Sequence, residues 1–337
     1  MTVLVSIQLL RGLAAILVAY IHAVQLYPGV ASGVIIDEYS LLTSVGGSGV
    51  DLFFVISGFI VCFVSHHKNR SFSEFLVARF NRVVPIYWFW TSLFAFFMWV
   101  GSDLYIKDLL KIVCSYFFIP IMGLDGNRQP ILSVGWTLNC EILFYLLFSF
   151  GFYMKGFIRN IFSVILPLFL AYVIYLGLYP IIILEFSIGV LIYLLWKQGV
   201  VKSLGTFLSL VLLFLGCFML FVTADISYHT GGIYRLLLWG SGAGLIVLGL
   251  LGLEDHLKIR QEKLKLPILL GDSSYTLYLT HWFWGFVTYK IFAHFNFSID
   301  VQVMATFLIM ITSGVLFYIH IEKTILSKFY IRLPIGR

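Results

Sequence analysis

Charge is scarce in this sequence. Of 337 residues only 11% are Asp, Glu, Lys or Arg, while 61% are hydrophobic and the mean hydropathy is +0.99. A water-soluble chain of this length needs far more charge to cover its surface, which excludes a soluble globular enzyme. Paired cysteines are lacking too. Cys62, Cys114, Cys140 and Cys217 fall inside apolar stretches, with no paired spacing and no His or Cys neighbour at metal-ligand intervals. A disulfide framework and a cysteine-based metal site are thereby excluded, no metal is expected, and the four read as small buried hydrophobes. No internal repeat and no low-complexity stretch is visible, so the inverted repeats common in secondary transporters are not seen. The first apolar stretch also lacks a basic leader and a small-residue cleavage site, and it reads as a first span, not a removable signal peptide.

Long apolar stretches are abundant instead. They recur at approximately 3 to 27, 44 to 65, 83 to 101, 131 to 154, 157 to 177, 180 to 197, 204 to 223, 232 to 253, 270 to 293 and 300 to 320. Each matches the roughly 20 residues a helix needs to cross about 30 Å of hydrocarbon. The expectation is an all-α, polytopic membrane protein of about ten transmembrane helices, with residues 1–337 forming one integral-membrane domain in a lipid bilayer. The stretch 107 to 120, "KDLLKIVCSYFFIP", is too short to cross and ends at Pro120, so it reads as an interfacial or re-entrant helix.

The formal net charge is +6 and the isoelectric point near 9.0, but in a membrane chain positive charge records orientation, and no nucleic-acid partner is expected. The segments after spans two, four, six and eight, with the C-terminal tail, hold sixteen of the 22 basic residues. The other side keeps five, namely Lys107, Lys111, Arg128, Arg235 and Lys290. By the positive-inside rule both termini are cytoplasmic.

The remaining basic residue is Arg11, in "LLRGLAAILVAYIHA". His22 follows eleven positions later, which puts both on one face of span one, about 16 Å apart. An arginine at mid-membrane costs about 2.5–3.5 kcal/mol on insertion scales and needs a partner or a watery cavity. A snorkelling Arg and a His bonded to a neighbouring helix fit the spacing equally. Span four carries Glu141 near mid-depth, either protonated and structural or paired with a cation such as Arg11. Span nine carries Ser274, Tyr278 and His281 on one face, with Tyr275 turned away; such a stripe serves a site or glues helices together. Three helices bringing titratable groups to depth outline a polar chamber. Asp51, early in span two, fits capping or helix packing near the outer interface. Arg79 and Arg82 lie one turn apart just before Pro85, at the end of a short inner-surface helix over 72 to 80; two guanidinium forks suit phosphate, and topology signalling explains them too. The other six histidines read as solvated or interfacial.

Taken in order, "RGLAAILVAYIH", "GVDLFFVISGF", "ARFNRVVPIYW", "GWTLNCEILFYLLF" and "SYTLYLTH" resemble the acyltransferase-3 family of bacterial membrane O-acyltransferases, particularly members that decorate exopolysaccharides and O-antigens. The resemblance spans nearly the whole chain. It departs at "IEKTIL", which lacks a proline after Glu322, and in having no hydrolase-like C-terminal domain. It implies transfer of an acyl group, usually acetyl from acetyl-CoA, to a sugar hydroxyl on the far side of the bacterial inner membrane. The acceptor it implies is surface polysaccharide or an undecaprenyl-linked oligosaccharide. His22 then corresponds to the essential histidine and Arg11 to its partner, with Arg79 and Arg82 helping to bind the donor. Glu141, Tyr275, Tyr278 and His281 match polar core positions. His22 acts as general base or as acyl-carrying nucleophile, and the residues leave both open. The rival reading is a transporter or flippase for a lipid-linked sugar, with the same groups as a proton relay.

Overall fold

A computed structural model describes residues 4–27, 40–68, 72–101, 108–120, 129–151, 157–230 and 232–324, with side chains at all of these except 40–42, 66–68, 157–165 and 230. The side chains of His66, His67, Lys68, Arg70, Lys107, Arg128, Lys155, Arg159, Lys328, Arg332 and Arg337 lie outside the described set.

Among the described residues the principal helices, which overlap the expected spans, are α1 Val5–Gln25, α2 Ser48–Lys68, α3 Phe72–Val100, α4 Trp136–Phe150, α5 Phe157–Tyr175, α6 Glu185–Lys197, α7 Gly205–Val222, α8 Ser241–Gly252, α9 Lys265–Phe292 and α10 Ile299–Phe317. No strand occurs among the described residues. In hydrocarbon every backbone N–H and C=O must be satisfied within the chain, and a helix does this segment by segment. Among the described residues seven helices are long and apolar enough to cross a membrane. α9 is not one of the seven, though its 28 residues extend about 42 Å. Its apolar content is diluted by Asp272, Ser273, Ser274, Thr276, Thr280 and His281, most of them buried. The stretch expected to be interfacial forms a helix of eight residues, Leu109–Tyr116, too short to span.

Two expectations are corrected. Residues 72 to 80 are not a separate surface helix: α3 runs unbroken through Pro85. Proline removes one ladder hydrogen bond and crowds the preceding turn, yet 29 residues of otherwise continuous helix carry through it. Cys217 is exposed, unlike Cys62, Cys114 and Cys140. It lies on α7, where Phe207, Phe214 and Phe218 also point outward, an apolar surface suited to lipid.

The chain divides into two compact units. The first comprises residues 1–63 and 180–316, the second residues 64–179 and 317–337. In the first, α1 is fixed at its start by Glu254, whose Oε1 and Oε2 accept hydrogen bonds from the Val5 and Ser6 amides at 2.9 Å each. A carboxylate there satisfies orphan N–H groups and complements the positive end of the helix dipole.

Candidate active site

In the first unit α1 and α9 run parallel and keep a constant register. His22 meets His281, 259 residues later in the chain. The same offset pairs Gly12 with Gly271, where a Cβ on Gly12 would come within 3.1 Å of the Gly271 amide nitrogen, and Leu26 with Gly285, whose added Cβ would reach a Leu26 methyl at 2.6 Å. Glycine is required at this crossing: a Cβ on Gly271 would lie 2.1 Å from the Gln8 carbonyl oxygen. The seam on α1 reads Gly12, Ala15, Ala19, His22, Leu26, and on α9 Gly271, Ser274, Tyr278, His281, Gly285. Alternating steps of three and four residues keep both seams facing each other over the whole length. Small residues let the backbones approach closely enough for polar side chains to meet.

At one end of the seam lies a polar group built around Arg11. Its guanidinium donates to Gln8 Oε1 at 3.1 Å, and Gln8 Nε2 donates to Asp272 Oδ1 at 2.5 Å. A half-buried cation and a half-buried carboxylate are thereby joined through an amide, which offsets the cost of charge in a membrane-crossing segment. Some ten residues further along both helices, about 15 Å by helical rise, His22 Nδ1 and His281 Nε2 are 2.8 Å apart. Their rings are tilted by only 19°, with centroids 4.9 Å apart, so they meet edge to edge as an N–H···N bond requires. Trp282 presents an edge to the His22 ring at 4.9 Å. His281 is fully buried and His22 half-buried. Behind them Tyr278 packs 5.7 Å from His281 and from Phe53 of α2, and the Ser274 hydroxyl is buried without a hydrogen bond to any described group. Tyr275 is half-buried.

Asp51 has a specific partner. Arg235 grips it with two hydrogen bonds, Nε to Oδ1 at 3.1 Å and Nη2 to Oδ2 at 2.7 Å, and donates to the Gly47 carbonyl at 3.0 Å. Trp239 lies 5.0 Å from the guanidinium. Glu185, wholly buried, sits against Asp51 at the start of α6. Arg235 immediately precedes a single π turn, Leu236–Gly240, an irregularity that often marks a specialised place in a helix.

The second unit holds the remaining candidates. Arg79 of α3 is 5% exposed, its guanidinium carbon 5.5 Å from the Phe75 ring and 5.4 Å from Tyr145 of α4, within cation–π range. Tyr145 donates to Glu141, one turn earlier on α4. Arg82 is exposed. The two arginines therefore do not present alike: one is enclosed by aromatic rings, the other faces outward.

A family model described as an acyltransferase domain matches residues 4–320. The chain belongs to the acyltransferase-3 family. Exopolysaccharide production protein ExoZ of Rhizobium meliloti (strain 1021) is 33% identical to it over 302 residues, 85% of this chain and 91% of that protein. No solved structure matches the chain. In this acyltransferase, α1, one of the seven helices able to cross a membrane, and the 28-residue α9 carry the His22–His281 pair and the Arg11 group along one seam. Gln8 and Asp272 escaped sequence reasoning, although one stands three residues before Arg11 and the other heads the polar stripe of α9. Glu185 and Arg235 escaped it as well; an acid and a base inside apolar spans were the available signal.

Proposed function

We propose that this protein transfers an acyl group, acetyl from acetyl-CoA in the first instance, to a hydroxyl of a surface polysaccharide or its lipid-linked precursor at the bacterial cytoplasmic membrane. The family supplies acyl transfer, and the name of the Rhizobium relative points to exopolysaccharide as the acceptor. The observation that carries the residue assignment is the half-buried imidazole of His22, hydrogen-bonded to a second imidazole inside a membrane-crossing seam.

As general base, His22 takes the proton of the sugar hydroxyl while its oxygen attacks the thioester carbon. The C–O bond forms, the C–S bond breaks, and the departing thiolate receives that proton, so no net proton is consumed. As nucleophile, His22 forms an N–acyl bond as the C–S bond breaks and the thiolate leaves; the sugar oxygen then attacks the acyl carbon, the N–C bond breaks, and the hydroxyl proton goes to the thiolate. Arg11, held by Gln8 about 15 Å from His22 along the seam, steadies the pantetheine arm of the donor on its way to His22. Arg82, exposed, meets the CoA phosphates, and Arg79 contributes fixed positive charge behind it.

Mass spectrometry and proton NMR of surface glycan test this directly. A strain lacking the protein, or carrying His22→Ala, is expected to lose the acyl mass and the downfield-shifted ring protons while polymer export continues. Arrested export with unchanged acylation per sugar would establish the transporter reading instead.

A further inference from the structure

We infer that His281 is a positioning residue that holds His22 in a single tautomer, with the proton on Nδ1 and the lone pair on Nε2. This rests on the acyltransfer reading for its purpose but not for its geometry. The Leu277 carbonyl lies 3.2 Å from His281 Nδ1. A carbonyl only accepts, so His281 Nδ1 carries a hydrogen, and in the neutral ring its Nε2 is then bare. His281 Nε2 faces His22 Nδ1 at 2.8 Å, and two bare nitrogens would repel there. His22 Nδ1 therefore donates, and its own Nε2 is left with the lone pair. His281 thus uses the carbonyl one turn back in its own helix, and the relay runs from His22 of α1 through His281 of α9 to Leu277.

The consequence is chemical. Nε2 of His22 is the atom that takes either the hydroxyl proton or the acyl group. As it does so the ring becomes cationic, and the proton on Nδ1 is already hydrogen-bonded to a neutral acceptor that spreads the charge over two imidazoles. The role is the one a carboxylate plays toward a catalytic histidine, filled here by an uncharged group, which suits a site enclosed in the membrane where a further bare charge is costly.

The test uses the full-length protein in nanodiscs with nitrogen-15 histidine. In the wild type the His22 signals, identified by their loss in His22→Ala, are expected to show a pyrrole-type Nδ1 and a pyridine-type Nε2. His281→Leu is expected to mix the two tautomers and to lower kcat about 100-fold with KM changed less than about twofold. His281→Gln, whose amide oxygen reaches about as far as Nε2, is expected to restore the wild-type pattern and most of the lost rate. A wild-type spectrum with the proton on Nε2 overturns the inference, as does His281→Leu with an unaltered spectrum and kcat. The spectrum needs no turnover, so it decides the tautomer separately from acyl transfer, whose failure would appear as full acylation by His22→Ala. If His281→Leu does not fold, the wild-type spectrum and the Gln variant still decide.

Discussion

Gln8 has no chemistry of its own, yet it fixes the orientation of Arg11. Its amide nitrogen is committed to Asp272 and its oxygen to the guanidinium, so the amide cannot flip without breaking both bonds. Gln8→Leu keeps the volume and severs the bridge, leaving a cation and a carboxylate at depth without their shared partner. The expected result is a roughly tenfold or greater fall in acylation, with the protein still inserted; Gln8→Glu, which can still accept from Arg11, falls less. Initial rates in reconstituted vesicles with labelled acyl-CoA measure this. At this scale the sequence was partly legible. Arg11, His22 and His281 stood out because polar groups in apolar spans are conspicuous. Gln8 did not, because a lone amide near a helix start is ordinary until its partner, 264 residues away, is known.

Among elements, the parallel pairing of α1 with α9 sets the site. Its legibility was incomplete for a physical reason: the three-and-four spacing on α9 was visible in Ser274, Tyr278 and His281, while the facing seam of Gly12, Ala15 and Ala19 is apolar and silent. Only the meeting of the two reveals that the small side makes room for the polar one. Gly271→Leu tests the register. Its side chain has no space against the Gln8 backbone, and overpacking of this kind costs about 1–3 kcal/mol. A lower unfolding temperature is expected together with loss of activity, whereas Leu208→Ile at an exposed position of α7 alters neither. The continuity of α3 through Pro85 shows the opposite failure. A proline in an amphipathic-to-apolar junction reads as a break, but helix on both sides and packing against α4 carry the chain through it.

For the whole molecule, the alternation of basic loops implies that the turn between α6 and α7 faces the cytosol and the residues after α7 face outward. In a cysteine-free background, Lys202→Cys is expected to react with a membrane-impermeant thiol reagent only in inverted vesicles, and Asp225→Cys only in intact cells or spheroplasts. Both side chains are exposed, so access is decided by sidedness alone; the reverse pattern would invert the topology and put the His22 end of the seam on the cytosolic face. The all-helical class followed from composition, because lipid leaves few alternatives. The grouping of helices into two units did not, since pairing between segments far apart in the chain leaves no trace in local periodicity.

One outcome of the α1–α9 seam concerns the order of synthesis. α1 carries Arg11 and His22, and the helix that pairs with His22 is translated some 259 residues later. Until then Gln8 and His22 are without their α9 partners, Asp272 and His281. A chain that stops before α9 therefore lacks the side chains that Gln8 and His22 bond.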